Sequence, residues 1–261
     1  MKIKHTLLLS MILSIPSAFA ADGAFTWMGA IVHALHLPIP HYVLTFIFIS
    51  LMLTVIGFLY RAKINNTSNV IIPDAGITLR NLVELYGSFI YSQCKNVIGE
   101  EHADEYFPFI STVFIFIFIC NFSGLIPGFL PPTEYLNTTL ALGAFSFIYY
   151  NIQGCRKQGT INYLKHFCGP LWYLAFLIFP IEIISNLVRP LSLALRLRFN
   201  MFADHIVLSE SFGIIPVLLP VVFMFLGLLV SVVQAYVFTV LTMVYIHLAV
   251  AHHDHDEEHA H

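Results

Sequence analysis

FPFISTVFIFIFIC, residues Phe107 to Cys120, holds no charge and shows no alternation of polar with apolar positions. A membrane β-strand would show about ten residues of alternating polarity, so this segment reads as a helix buried in lipid. It sits inside a run of 28 uncharged residues between Glu105 and Glu134. Two further runs, of 21 residues between Glu134 and Arg156 and 43 between Glu210 and Asp254, are equally free of Asp, Glu, Lys and Arg. A spanning helix needs roughly 20 apolar residues. The 261-residue chain is 58% hydrophobic and 10% charged, with a mean hydropathy of +0.80, whereas soluble domains carry about 25% charge. These values exclude a soluble globular enzyme and a disordered regulator. The net charge of −3 supplies no basic patch for nucleic acid. The fold class expected is an all-α polytopic membrane protein.

Residues 1–20 carry Lys2 and Lys4, an apolar run from Thr6 to Ile15, and Ala18-Phe19-Ala20 ahead of Ala21. This is the pattern of a cleaved secretory signal; the alternative is an uncleaved interfacial arm. Residues 21–261 form one membrane domain, with spans expected at about 42–60, 107–125, 138–154, 169–206 and 212–250 and a histidine-rich tail at 251–261. The stretch from Asp74 to Glu105 holds Arg80, Glu84, Lys95 and the cluster Glu100, Glu101, Asp104, Glu105; that charge density predicts an amphipathic helix on the membrane surface. Basic short loops stay cytoplasmic, which places Arg61, Lys63 and the Arg156–Lys165 loop inside and the loop at Glu134 outside. The mature amino terminus is then outside and the carboxyl terminus cytoplasmic, in a bacterial inner membrane. At about 1.5 Å per residue the last two elements exceed a core of about 30 Å, so they tilt strongly, kink at Pro180, Pro190, Pro216 or Pro220, or lie partly along the surface. The four cysteines fit no metal spacing and no CxxC pair, and no disulfide is expected.

The fourth element carries Glu182, Arg189, Arg196, Arg198 and Asp204 in apolar surroundings. A charge at bilayer centre costs roughly 2.5–3.5 kcal/mol on insertion scales, so such groups mark pathways. At about 100° per residue, Glu182, Arg189 and Arg196 share one face, flanked by Ser192 and Asn200. Arg198 and His205 point almost opposite to Arg196. Arg189 and Arg198 also have structural readings: snorkelling to headgroups or, for Arg198, pairing with Asp204 or Glu210. Gln234 lies alone in the 43-residue uncharged run, with Ser231 one turn before it; it serves either as a helix–helix hydrogen bond or as a pathway group.

RPLSLALRLRFNMFADHIVL at Arg189–Leu208, NFSGLIPGFLPPTEYLNTTLAL at Asn121–Leu142 and LGLLVSVVQAYVFTVLTMVYI at Leu226–Ile246 together resemble the signatures of subunit a of the F-type ATP synthases, the proton-conducting stator subunit. The resemblance covers most of the chain from about Pro73 to Ile246. It implies a surface helix, a hairpin of two spans and two long, steeply tilted helices curved around a rotor ring of c subunits. It also implies b-type peripheral stalk subunits, the rest of the synthase and the bilayer as partners, no cofactor, and no catalysis by the chain itself. Arg196 takes the place of the family's essential arginine, Asn200 the polar residue one turn later, Gln234 the glutamine on the last helix, Glu182 a polar position on preceding turns, and His205 a position held by glutamate or histidine. The family's arginine is followed by Leu-Phe-Gly-Asn, and here by Leu197-Arg198-Phe199-Asn200. The partner position of His205 on the last helix falls on Gly227, so the relay uses water and Ser231 or another group such as Glu210.

The mechanism so implied needs a rotor carboxylate that crosses lipid neutral and two offset half-channels that protonate and deprotonate it. A permanent cation must separate the channels, and arginine, with a pKa above about 12, does not release its proton. Arg196 is the expected separator, with Asn200 and Gln234 hydrating the site. Glu182, His205 and Glu210 are candidate half-channel groups; histidine changes charge near neutral pH. Two rival readings are weaker. HHDHDEEHAH at 252–261 offers five histidines and four acids, yet has no fixed spacing and follows the last span. A membrane enzyme with histidine ligands would show His at i and i+4 inside a span, whereas His33, His36 and His41 precede the first one.

Overall fold

The computed structural model describes residues 26–36, 38–65, 76, 78–126, 128–160, 163, 175–215 and 218–250. The signal segment 1–20, the tail 251–261, and Lys165 with the start of the fourth element lie outside them. The described elements are α1 (Trp27–Ala34), α2 (His41–Asn65), α3 (Leu79–Ile98), α4 (Glu100–Ser123), a 3-10 turn (Pro132–Glu134), α5 (Leu136–Gln158), α6 (Ala175–Ile214) and α7 (Leu218–Val250). Among the described residues there is no strand. The all-α polytopic reading holds.

Helices α2, α4, α7 and residues Ile178–Ile214 of α6 are long and apolar enough to cross a membrane. Helix α5 has 23 residues but is more polar. Its polar groups turn inward: Thr138, Thr139, Ser146 and Gln153 are buried while Phe145, Ile148 and Ile152 are exposed. That inside-out pattern is how small and polar residues serve helix contacts in lipid. Helix α6 has 40 residues and α7 has 33. At about 1.5 Å per residue both outrun a core of about 30 Å. Pro180 and Pro190 lie inside α6 without ending it.

Two boundaries differ from those read in the sequence. Gly99, at φ +106, ends α3, and Glu100 and Glu101 open α4 in its first turn, where the amide ends of a helix favour negative charge. The acidic cluster therefore caps a span and is not the tail of the surface helix. Helix α6 runs on through Ser209-Glu210-Ser211, because the two serine hydroxyls donate back to the carbonyls of Ile206 and Leu208 at 2.8 and 2.6 Å. The polarity of those residues is absorbed within the helix, and the interruption comes after Ile214.

The chain forms two compact units. The first comprises Met1–Thr54, Phe116–Tyr135 and Leu197–Ala235. In it the Trp27 amide donates to the Gly128 carbonyl at 3.0 Å, Phe46 meets Phe116 edge-on with centroids 5.0 Å apart, and Tyr42 stacks on Tyr135 at 4.4 Å. The second comprises Val55–Ile115, Leu136–Arg196 and Tyr236–His261. There α3 is capped by Thr78, whose side chain accepts from the Asn81 amide. The helix buries Ile90, Cys94, Ile98 and Arg80 while exposing Leu82, Leu85 and Phe89. Arg80 Nε donates to Glu84 at 2.6 Å, which answers the charge of a fully buried guanidinium. Phe109 stacks on Tyr149, Lys157 pairs with Glu105 at 2.9 Å, and Gln158 donates to the Ala249 carbonyl at 2.9 Å. A Cβ on Gly143 would sit 2.8 Å from the Pro190 carbonyl oxygen, so only glycine lets α5 approach α6 there.

Candidate functional site

The polar row of α6 meets different environments along its length. Within the second unit, Glu182 is half-buried and the Arg189 guanidinium lies over the Tyr245 ring, 5.3 Å from its centroid. Buried Tyr150 donates to Asn186 Oδ1 at 2.7 Å, which turns that face of α6 inward and leaves Ser192 and Arg196 exposed. No hydrogen-bond or ion-pair partner reaches Arg196 among the described residues. Leu187, Val188, Leu191 and Phe199 on the same helix are exposed as well.

From Leu197 onward α6 belongs to the first unit. Asn200 Nδ2 donates to Gln234 Oε1 of α7 at 2.8 Å. Gln234 is 3% exposed, and its Nε2 is buried without an acceptor. Such an orphan costs roughly 1–3 kcal/mol unless water or a partner supplies the missing contact. One turn further, Asp204 and His205 border a small, partly open cavity of about 30 Å³, together with Asn121, Gly227 and Ser231. Asp204 Oδ2 is buried and has no hydrogen-bond partner. A side chain on Gly227 would meet Leu125 at 3.1 Å and Asp204 Oδ2 at 4.0 Å. The glycine therefore leaves space beside that carboxylate. His205 Nδ1 lies 3.3 Å from both carboxylate oxygens of Glu134; only Oε1 has hydrogen-bond geometry, so the second approach is Coulombic.

The structure thus brings Asn200 to Gln234 and sets His205 at a mostly apolar cavity that Asn121, Asp204 and Ser231 also border. It leaves Glu210 exposed near the end of α6, with no partner among the described residues. Arg198 pairs with neither Asp204 nor Glu210: its guanidinium lies 5.6 Å from the centroid of the Phe199 ring, and its Nε is buried unpaired. Three groups near His205 have no channel role assigned from the sequence: Asp204 and Asn121 at the cavity and Glu134 at the ring. Asp204 counts in the sequence among the charges of the fourth element and as a candidate partner for Arg198, and Arg196, Asn200 and Asp204 step along α6 at intervals of four. Glu134 and Asn121 lie on other elements, and nothing local in the sequence links them to His205.

A family model described as ATP synthase A chain matches residues 42–247. The chain belongs to the ATP synthase A chain family. ATP synthase subunit a of Bdellovibrio bacteriovorus is 44% identical over 200 residues, covering 77% of this chain and 86% of that protein. The subunit a of Sorangium cellulosum is 40% identical over 213 residues, 80% of this chain and 83% of that one. That of Sulfurimonas denitrificans is 36% identical over 231 residues, 88% and 98% respectively. The matched range includes every residue from Glu134 to Gln234 discussed above.

Proposed function

We propose that this chain, the proton-translocating subunit of the ATP synthase membrane sector, works as a stator with two half-channels separated by Arg196. The observation that carries the reading is an exposed guanidinium that has no partner among the described residues, on an apolar helix. A cation of that kind suits a carboxylate arriving from outside the chain, on a rotor ring of c subunits. It attracts the ionised carboxylate and, because it keeps its own proton, blocks a direct leak between the channels. Asn200 and Gln234 hydrate and position the meeting point, the orphaned Gln234 amide being ready to donate to water. His205 and Asp204 carry protons along one half-channel, with Ser231 on the cavity wall. Glu182 belongs to the other, and Glu210 stands beyond the cavity as an access group.

The chain itself carries out no bond chemistry; nucleotide turnover resides in other subunits, and b-type stalk subunits hold the stator. Helix α5 completes five membrane crossings. The signal at 1–20 is removed, the mature amino terminus faces outward, and the carboxyl terminus is cytoplasmic in a bacterial inner membrane. The test is Arg196→Ala in the assembled synthase, reconstituted in vesicles. ATP-driven proton pumping is lost while the subunit still assembles with the complex, and retention of full pumping would overturn the assignment.

A further inference from the structure

The geometry points to Glu134 as the proton-entry group of the half-channel that contains His205, an assignment that rests on the reading of His205 as a channel residue. Glu134 closes the 3-10 turn Pro132–Glu134, and both neighbours of that residue are pinned. Thr133 Oγ1 donates to Asn121 Oδ1 at 2.8 Å in a buried bond. On the other side the Tyr135 hydroxyl meets His41 Nε2 at 2.8 Å while its ring stacks on Tyr42. Backbone bonds from Glu134 to Pro131 at 3.1 Å and from Tyr135 to Pro132 at 3.3 Å close the turn. A surface ion pair between two mobile side chains has none of this support. Here the carboxylate is pre-positioned before the histidine reaches it. The Glu134 side chain is 15% exposed and the His205 side chain 26%, so both have limited contact with solvent.

The imidazole has two nitrogens, and the carboxylate occupies one of them. Nδ1 faces Glu134; Nε2 has no partner among the described residues, and the ring borders the cavity that also holds Asp204. A proton from solvent protonates the Glu134 carboxylate. It passes to Nδ1 of neutral His205, giving a carboxylate and an imidazolium. The imidazolium releases its Nε2 proton to cavity water and thence to the Asp204 carboxylate, whose Oδ2 is otherwise unpartnered. One proton enters and one leaves, no bond to carbon changes, and the ring exchanges its remaining proton through cavity water before the next cycle. A structural ion pair, by contrast, requires only that Glu134 hold the ring in place.

Two variants in the assembled synthase separate these roles. Glu134→Gln keeps the size and a hydrogen bond to His205 but carries no proton, and it lowers ATP synthesis driven by an imposed proton gradient by at least about tenfold, with normal amounts of subunit in the membrane. Glu134→Ala is similarly slow, and added formate, a small carboxylate that can occupy the vacated space, restores the rate severalfold. A Gln variant within about twofold of the parent, or an Ala variant that formate leaves unchanged, overturns the relay. Arg196→Ala run in parallel keeps the two readings apart: if it is inactive while Glu134→Gln is normal, only the entry role falls, whereas an active Arg196→Ala removes the channel reading beneath it.

Discussion

Asn200 and Gln234 should behave as one unit, because the bond between their side chains, 2.8 Å long, joins α6 to α7. Replacing either with alanine removes the bond and leaves the other amide with an unfilled partner. Hydrogen bonds between membrane helices average about 0.6 kcal/mol and reach about 1.7 kcal/mol in double-mutant cycles. At about 1.36 kcal/mol per tenfold in rate, that coupling corresponds to a non-additivity of about 3- to 18-fold. ATP synthesis in inverted vesicles under an imposed proton gradient, corrected for the amount of assembled complex, measures it. Each single alanine variant should be slow but active, and the double variant should be little slower than the worse single. The geometric reason is specific: Gln234 is buried while Asn200 is only half-buried, so losing Asn200 strands both ends of the Gln234 amide. If the two losses multiply as independent events, the pair does not act together, and Gln234 is helix glue rather than part of the transport site.

Asp204→Asn keeps the shape of the cavity wall but removes a group that can take a proton; proton-driven synthesis should fall by about tenfold, and a parent-like rate would return Asp204 to a structural role. Gly143→Ala should reduce the amount of assembled subunit, because its new methyl would press on the Pro190 carbonyl oxygen at 2.8 Å, an overpacking that costs about 1–3 kcal/mol; immunoblots of membranes at parent-like levels would contradict it. With Cys168 replaced by serine, a maleimide at neutral pH should label Cys155, which is half-exposed, well before Cys94 and Cys120, which are buried. Burial pushes the Cys94 thiol up to about 11, so it stays protonated and unreactive until strongly alkaline pH, and rapid labelling of Cys94 at neutral pH would show that α3 does not pack as described.

Most of the helical layout was legible because the run lengths decided it. Forty-three residues without Asp, Glu, Lys or Arg after Glu210 leave few alternatives to a long membrane helix, and α7 fills residues 218–250 of that run. The surface helix α3 was equally plain from its charge density. The element ends were less so, since they turned on local conformations: a glycine at positive φ after Ile98, and two serine hydroxyls satisfied inside α6 beyond the expected end at about 206. The site divides in the same way. Arg196 and Asn200 stand out because they are polar on an apolar helix, one turn apart. The contact of Gln234 with Asn200 spans 34 residues, and that of Glu134 with His205 spans 71. Such meetings depend on how helices pack, and no periodicity within one helix encodes them. Gly227 was visible only as a missing side chain; its relation to Asp204 required coordinates.

The distribution of satisfied and unsatisfied charge along α6 also argues for what lies outside this chain. Arg189 finds an aromatic face, Arg198 lies against the ring of its neighbour, and His205 finds a carboxylate. Arg196 finds none of these among the described residues, although a cation at bilayer depth costs roughly 2.5–3.5 kcal/mol or more. The exposed apolar residues on the same helix make a water-facing position for the whole surface untenable. A cation without a partner beside an apolar flank suits the proposed function, in which a second membrane protein brings an acid to that face. On the function proposed above, a permanent partner would lock Arg196 in a fixed ion pair, whereas a ring of identical carboxylates would meet it repeatedly and let each one go.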